Sequence, residues 1–374
     1  MDFDLTDEQR LLQDSVRRLL ADHYTFESRK SYLAGDRGWS EAMWARYAEL
    51  GLLGLPFAEE HGGFGGGPVE IMLIMGEFGR VLALEPYLSV VLAGTAVKEA
   101  GSDKQKSDLL PAIAEGSLRL AFAHGERQAR YDLTVVTTSA RRDNGNWIVD
   151  GAKHVVLHGD STDRIVVSAR ISGEQDDPDG IGLFIVDAHA PGIAKRAYPL
   201  RDETRAAELS FTDVSAEPLG EPGNALPVIE QVIGAGIAAM GAEAVGAMEV
   251  LHAMTLDYSR TREQFGRPIG QNQVVQHRLA DMLMSLEQGR SMAMLATMST
   301  NEPDRAQRTR NMSMAKVGYG QAARFVSQQA IQLHGGIGMT EEYAAGHYFR
   351  RCMVIEHTFG DTAWHLARLA AQVT

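Results

Sequence analysis

The sequence is poor in several things, and each shortage removes a class of protein. One cysteine, Cys352, stands among 374 residues, which excludes an internal disulfide and a cysteine-rich zinc centre. Positive charge is the scarcer sign: Lys+Arg 36 against Asp+Glu 49 gives a formal net charge of −13. So acidic a chain repels a phosphate backbone and argues against a nucleic-acid partner. Apolar runs are short. The longest, Leu88 to Val97, falls well below the ~18 residues of a membrane span, so no membrane partner is expected. The acidic opening Met1-Asp2-Phe3-Asp4 lacks the basic and apolar regions of a signal peptide, and a cytoplasmic location is the expectation. Glycine, by contrast, is abundant. Its 38 residues are about a tenth of the chain against an average near 7 %, without low-complexity sequence.

Hydrophobic period divides the chain into three. Residues 1–117 carry a helical pattern, opened by Thr6 and Gln9 as a capping-box pair before Leu11, Leu12, Val16, Leu19 and Leu20. Trp44, Leu50, Leu52 and Leu53 suggest a second helix, followed by helices over 72–84, 88–100 and 103–113. Residues 118–221 read as short strands. Val135–Thr138 and Trp147–Val149 flank the hairpin signal Asn144-Gly145, and further strands lie at 165–167, 182–186 and 209–211. Spacing of this kind predicts an antiparallel barrel or sandwich. Residues 222–374 return to long helices over 226–258, 273–298, 305–333 and 350–371, the pattern of a helical bundle. The expected fold class is α+β, mainly α.

The glycines fall in distinct settings. His61-Gly62-Gly63-Phe64-Gly65-Gly66-Gly67 lies between helical patterns with no preceding strand and no Walker lysine, so a surface turn is favoured over a phosphate cradle. Gly234, Gly236, Gly241 and Gly246 sit within one predicted helix, where each costs about 1 kcal/mol unless close packing offsets it. Gln332-Leu333-His334-Gly335-Gly336-Ile337-Gly338 ends another helix. Its paired glycines are a stop signal that also allows a ligand close to the backbone, and His334 reads as structural. Between two long helices, Arg262-Glu263-Gln264-Phe265-Gly266-Arg267-Pro268 is a connection whose Arg262 and Phe265 suit an anionic, planar ligand. Metal binding finds no support. His154 and His158 are four residues apart on a predicted strand, hence about 13 Å from each other.

Taken together, these features resemble the acyl-CoA dehydrogenase family over essentially the whole chain. Arg262-x-x-Phe265-Gly266, Gln273 and Gln332-x-x-Gly335-Gly336-x-Gly338 occur at the family's spacing, within its order of helical domain, β domain and helical bundle. Met1–Gln9, Gly51–Pro56, Ala129–Leu133 and Gly346–Phe349 are most similar to the small subunits of pimeloyl-CoA dehydrogenases. The resemblance implies FAD as cofactor and an acyl-CoA substrate, with electron-transfer flavoprotein as acceptor. A carboxylate would take the α-proton while the flavin accepts the β-hydride. It also implies flavins shared between chains, one chain supplying the isoalloxazine site and base, its neighbour the pyrophosphate and adenosine contacts.

The second set is present here as Arg262, Phe265, Gln273, Gln332, Gly335 and Gly336. The first is eroded. His124–Asp132 replaces the family's T-E-P-G-x-G-S-D, Lys153–Gly159 lacks the flavin-facing Trp and Thr, and Phe359 stands at the glutamate position. The alternative base position, on an earlier helix, holds Gly236, with Ile237 where an arginine often follows. Three readings follow. The chain is the small subunit of a heteromer whose large paralogous subunit carries the base; or it is a self-sufficient homomer with a relocated base, Asp361, Glu356 or Glu230; or it is a non-catalytic partner. A dicarboxylyl-CoA would call on Arg127, Arg130 or Arg205; a steroid side-chain thioester is the alternative.

Overall fold

The computed structural model describes residues 4–372; the opening Met1–Phe3 lies outside them. In chain order come α1 (Asp7–His23), α2 (Phe26–Leu33), α3 (Glu41–Glu49), α4 (Pro68–Val81), α5 (Tyr87–Ala100) and α6 (Asp103–Ala114). Next are β1 (Leu120–Ala123), β2 (Ser139–Asp143), β3 (Asn146–Leu157), β4 (Arg164–Arg170), β5 (Ile181–Asp187), β6 (Ile193–Pro199) and β7 (Arg205–Pro218). The last part holds α7 (Leu226–Thr261), β8 (Glu263–Gln264), β9 (Arg267–Pro268), α8 (Gln273–Ser299), α9 (Arg305–His334), α10 (Ala344–His357) and α11 (Thr362–Ala370). These elements form two compact units: Met1–Ser31 with Pro68–Ala83 and Ile237–Thr374, and Tyr32–Gly67 with Leu84–Gly236.

In the first unit, α1 starts as the sequence predicts. Thr6 Oγ1 accepts from the Gln9 N–H at 3.2 Å, and Gln9 Oε1 accepts from the Thr6 N–H at 3.0 Å. Two glycines of α7, Gly241 and Gly246, serve packing. A Cβ on Gly246 would lie 1.9 Å from the Gly76 carbonyl oxygen, and one on Gly79 of α4 would lie 2.0 Å from that of Glu243. The two backbones therefore touch, which offsets the conformational cost of glycine in a helix. Gly241 likewise leaves room for the Tyr319 ring, 2.9 Å from where its Cβ would be. Helix α7 is long and apolar enough to cross a membrane, yet 78 % of its most apolar window is buried inside the protein, as in the core helix of a globular bundle. The last predicted helix is interrupted. Phe359 (φ 61°) and Gly360 (φ 107°) turn the chain between α10 and α11, a break that the continuous helical period around it conceals.

In the second unit, β2, β3, β7, β5 and β4 pair in a closed ring around Val149, Ile165, Val167, Phe184, Leu209 and Phe211. Asn144-Gly145 makes the expected hairpin, with Asp143 opposite Asn146. The sheet is mixed rather than antiparallel, since β1 runs parallel to β4 and β2 meets β4 in parallel at Ser139 and Arg170. Residues 135–138 are extended but belong to no strand. Their N–H groups are taken elsewhere, those of Thr137 and Thr138 by the Glu126 carboxylate at 2.9 and 3.0 Å and that of Val136 by the Gln175 carbonyl at 2.9 Å. Helix α3 stops at Glu49, so Leu52 and Leu53 are core residues of the following turn. The glycine run is a turn whose N–H groups bond its own chain: Gly62 to Glu59, Gly63 to Ala58, Gly65 to Phe57 and Gly66 to Leu55.

Candidate functional site

The connection after α7 is a small hairpin. The Arg262 N–H donates to the Tyr258 carbonyl at 2.8 Å, continuing the helix, and the Ile269 N–H returns to the Arg262 carbonyl at 2.8 Å. Strands β8 and β9 pair antiparallel, leaving Phe265 and Gly266 at the tip with φ of 54° and 77°. Two successive positive φ angles are the geometry of a type I′ turn, which glycine adopts freely and phenylalanine does not. Phe265 is fully exposed at 102 % of its reference surface, so the strained conformation gains nothing from burial within this chain. Such an outlier points to a role outside the local fold. Arg262 is exposed beside it, and Gln273, also exposed, opens α8.

Gln332, Gly335 and Gly336 gather where α9 ends, in the same unit. Gly335 ends α9 at φ 64°, and a Cβ on Gly335 or Gly336 would meet nothing within 4 Å. The backbone here is open rather than packed, and a cleft of about 350 Å³ runs along Gln328, Ile331, Gln332, Gly335 and Phe349. Sequence reasoning missed Gln328 and Phe349, which reach the cleft one helical turn from Gln332 and from a separate helix. His334 is structural, as expected. Its Nδ1–H donates to the Ala330 carbonyl at 2.8 Å, and its Nε2 accepts from the Tyr343 hydroxyl at 3.1 Å. Burial lowers its pKa, so the ring stays neutral. The Tyr258 ring lies 4.6 Å from the His334 ring, which ties the start of the hairpin to the glycine turn.

Two of the stretches that differ from the family, His124–Asp132 and Lys153–Gly159, lie in the second unit, anchored by a buried ion pair. Lys153 Nζ donates to Glu126 Oε1 at 2.7 Å, Ser168 Oγ at 2.9 Å and the His124 carbonyl at 3.1 Å. Burial would raise the Glu126 pKa, but Lys153 and the Thr137 donors outweigh it and hold the carboxyl down to about 2. Burial brings Lys153 down to about 8 against the pull of Glu126. Burial, reinforced by Lys153, takes His124 down to about 3. Two residues past Lys153, the strand bulges: pairing with β7 shifts between Lys153 and Val156, and Val155 sits half-exposed at φ 52°. For a β-branched residue this is a marked strain. At the bulge, Val155 and Val156 are hydrocarbon, and the His154 imidazole lies 3.1 Å from Glu208.

Two carboxylates flank Phe359, Asp361 and Glu356. Asp361 caps α11, its Oδ1 accepting from the Trp364 N–H at 2.8 Å. Glu356 is buried within the bundle. Its Oε1 accepts from the Thr362 N–H at 3.3 Å, and Oε2 lies 3.4 Å from Arg324 and 2.9 Å from His357. Gly236 and Ile237 are buried in α7, and Glu230 is half-buried earlier on that helix. Among the arginines considered for a substrate carboxylate, Arg205 is held by Asp160 at 2.7 and 2.8 Å, and Arg127 lies 3.6 Å from Glu208. Arg130 is exposed on a loop with φ 51°.

Family models for the N-terminal, middle and C-terminal domains of acyl-CoA dehydrogenases match residues 6–117, 121–214 and 226–374. The chain belongs to the acyl-CoA dehydrogenase family. It is an FAD-dependent oxidoreductase of acyl-CoA thioesters. The acyl-CoA dehydrogenase FadE12 of Mycobacterium tuberculosis is 33 % identical over 312 residues, 80 % of this chain and 79 % of that one. Among solved structures, the Tcur3481-Tcur3483 steroid ACAD superposes with a TM-score of 0.89 at 30 % identity, covering 98 % of both chains. Butyryl-CoA dehydrogenase from Megasphaera elsdenii shares the fold, with a TM-score of 0.91 at 24 % identity over the whole of both chains.

Proposed function

We propose that this dehydrogenase is the small subunit of a heteromer, completing a flavin site whose base lies on a paralogous large subunit. The asymmetry between its two sets of site residues carries this reading. The exposed hairpin tip and the open Gly335-Gly336 turn fit an external ligand, while position 359 holds a phenyl group that accepts no proton. FAD supplies the hydride acceptor for oxidation of the Cα–Cβ bond. Arg262 would pair with its pyrophosphate, and Phe265 would cover a flat part of the cofactor. Gln273 and Gln332 would donate to its polar edge, and the bare backbone at Gly335 and Gly336 would admit it closely. The isoalloxazine half does not fit in the same way, because Val155 and Leu157 replace the aromatic and hydroxyl groups of relatives. The domain limits 117/118 and 221/222 belong to the same proposal.

For the substrate, Asp160 holds Arg205 by two hydrogen bonds, while Arg127 and Arg130 remain exposed. A bulky apolar acyl group, such as a steroid side chain, is the proposed class, supported by the likeness to the steroid dehydrogenase named above. Electron-transfer flavoprotein is the proposed acceptor and the cytoplasm the proposed site. Expressing the chain alone and together with a candidate large paralogous subunit tests the assembly. Flavin and turnover are expected only in the mixed complex, with fewer flavins than chains. A fully active homomer with one flavin per chain would overturn the proposal in favour of a relocated base.

A further inference from the structure

The turn that carries residue 359 is held by side chains from two helices that the reading above does not use. His365 on α11 reaches back so that its Nε2 lies 3.0 Å from the Phe359 carbonyl oxygen, and its Nδ1 lies 3.1 Å from Ser313 Oγ on α9. A carbonyl only accepts, so Nε2 carries the proton and Nδ1 receives the serine hydroxyl. Burial, the leading cause, takes the imidazole pKa down to about 4, which keeps this tautomer neutral. Gly360 is obligatory beside it: its φ is 107°, and a Cβ would fall 2.5 Å from His365 Nε2. Lys316, buried on α9, donates to the last carbonyls of α10, those of Ile355 and Glu356, at 2.7 and 2.9 Å. With both flanking helix ends secured, Phe359 is kept at φ 61°, a conformation costly for a non-glycine residue.

We propose that His365, backed by Ser313, is the positioning residue for position 359. Its Nε2–H on the Phe359 carbonyl fixes the left-handed backbone from which any side chain at that position is presented. The functional meaning rests on the reading of 359 as a vacated base position; the hydrogen-bond arrangement itself does not. The turn is thus a finished platform, and the residue on it can change without rebuilding the frame.

Imidazole proton–nitrogen correlation spectra of the full-length wild-type chain give the first test. His365 is expected as the neutral Nε2–H tautomer from about pH 8 to about pH 5. The Nδ1–H tautomer, or an imidazolium within that range, would overturn the assignment, and no substitution is needed to see it. A second test places a carboxyl on the platform with Phe359→Glu and follows its titration by carbon NMR. Adding His365→Ala is expected to move the apparent pKa of the introduced carboxyl by about one unit. Adding His365→Gln instead, which keeps an N–H for the carbonyl, is expected to leave it within a few tenths. One titration common to all three variants refutes the positioning role. Turnover by the wild-type chain alone would remove the partner reading and leave both spectroscopic results standing, so the two failures are distinguishable.

Discussion

Phe265 concentrates the most unusual physics on a single residue: left-handed backbone, an aromatic ring and complete exposure. Holding an L-residue there costs about 1–2 kcal/mol, so Phe265→Gly is expected to leave thermal stability unchanged or slightly raised. The same variant is expected to lose flavin from the assembled enzyme, read as visible absorbance per mole of chain. If stability falls and flavin stays, the ring is a local structural element. The buried trio His124, Glu126 and Lys153 makes a different prediction. His124 and Glu126 both have folded pKa values below their ordinary ones, so the unfolded chain binds protons first as the solution is acidified. The share of stability that these two groups contribute is full above about pH 6.5 and falls as pH drops toward their folded values. His124→Gln removes the imidazole share, and the loss measured by urea unfolding between pH 7 and 4.5 is expected to shrink by about 2 kcal/mol. Lys153→Met strands a buried carboxylate and is expected to destabilise by about 3–5 kcal/mol.

Among the elements, the long helices and the hairpin at Asn144-Gly145 are legible in the sequence because their signals are local: a 3.6-residue period, a capping pair, a turn dipeptide. What escapes depends on distant partners. Residues 135–138 have β-branched strand composition, yet Glu126 takes two of their N–H groups before a neighbouring strand can. The break at Phe359-Gly360 hides in an unbroken apolar period, because Lys316, Ser313 and His365 fix it from elsewhere in the chain. The bulge at Val155 is likewise set by register with β7 and leaves no mark on composition. Gly241 and Gly246 of the glycine-rich helix serve packing, and two substitutions separate that role from that of the glycine turn. Gly246→Ala forces a methyl against the Gly76 carbonyl and is expected to cost about 1–3 kcal/mol in chemical unfolding. Gly336→Ala has open space around it and is expected to spare stability while weakening flavin retention in the assembled enzyme.

At the scale of the whole molecule, the sequence motifs carry the family and the cofactor, whereas the division of labour between two sets of site residues is the proposal. Composition alone, acidic and nearly free of cysteine, sets only broad limits. One further consequence attaches to the hairpin that lifts Phe265 into solvent. A cofactor clasped by groups on two chains is linked thermodynamically to their association, so FAD and partner each raise the other's apparent affinity by the same factor. Diluting the assembled enzyme should therefore release flavin and separate subunits along one curve, and added FAD should shift that curve to lower protein concentration. The exposed ring would then be a fastener between chains as much as a contact to a cofactor.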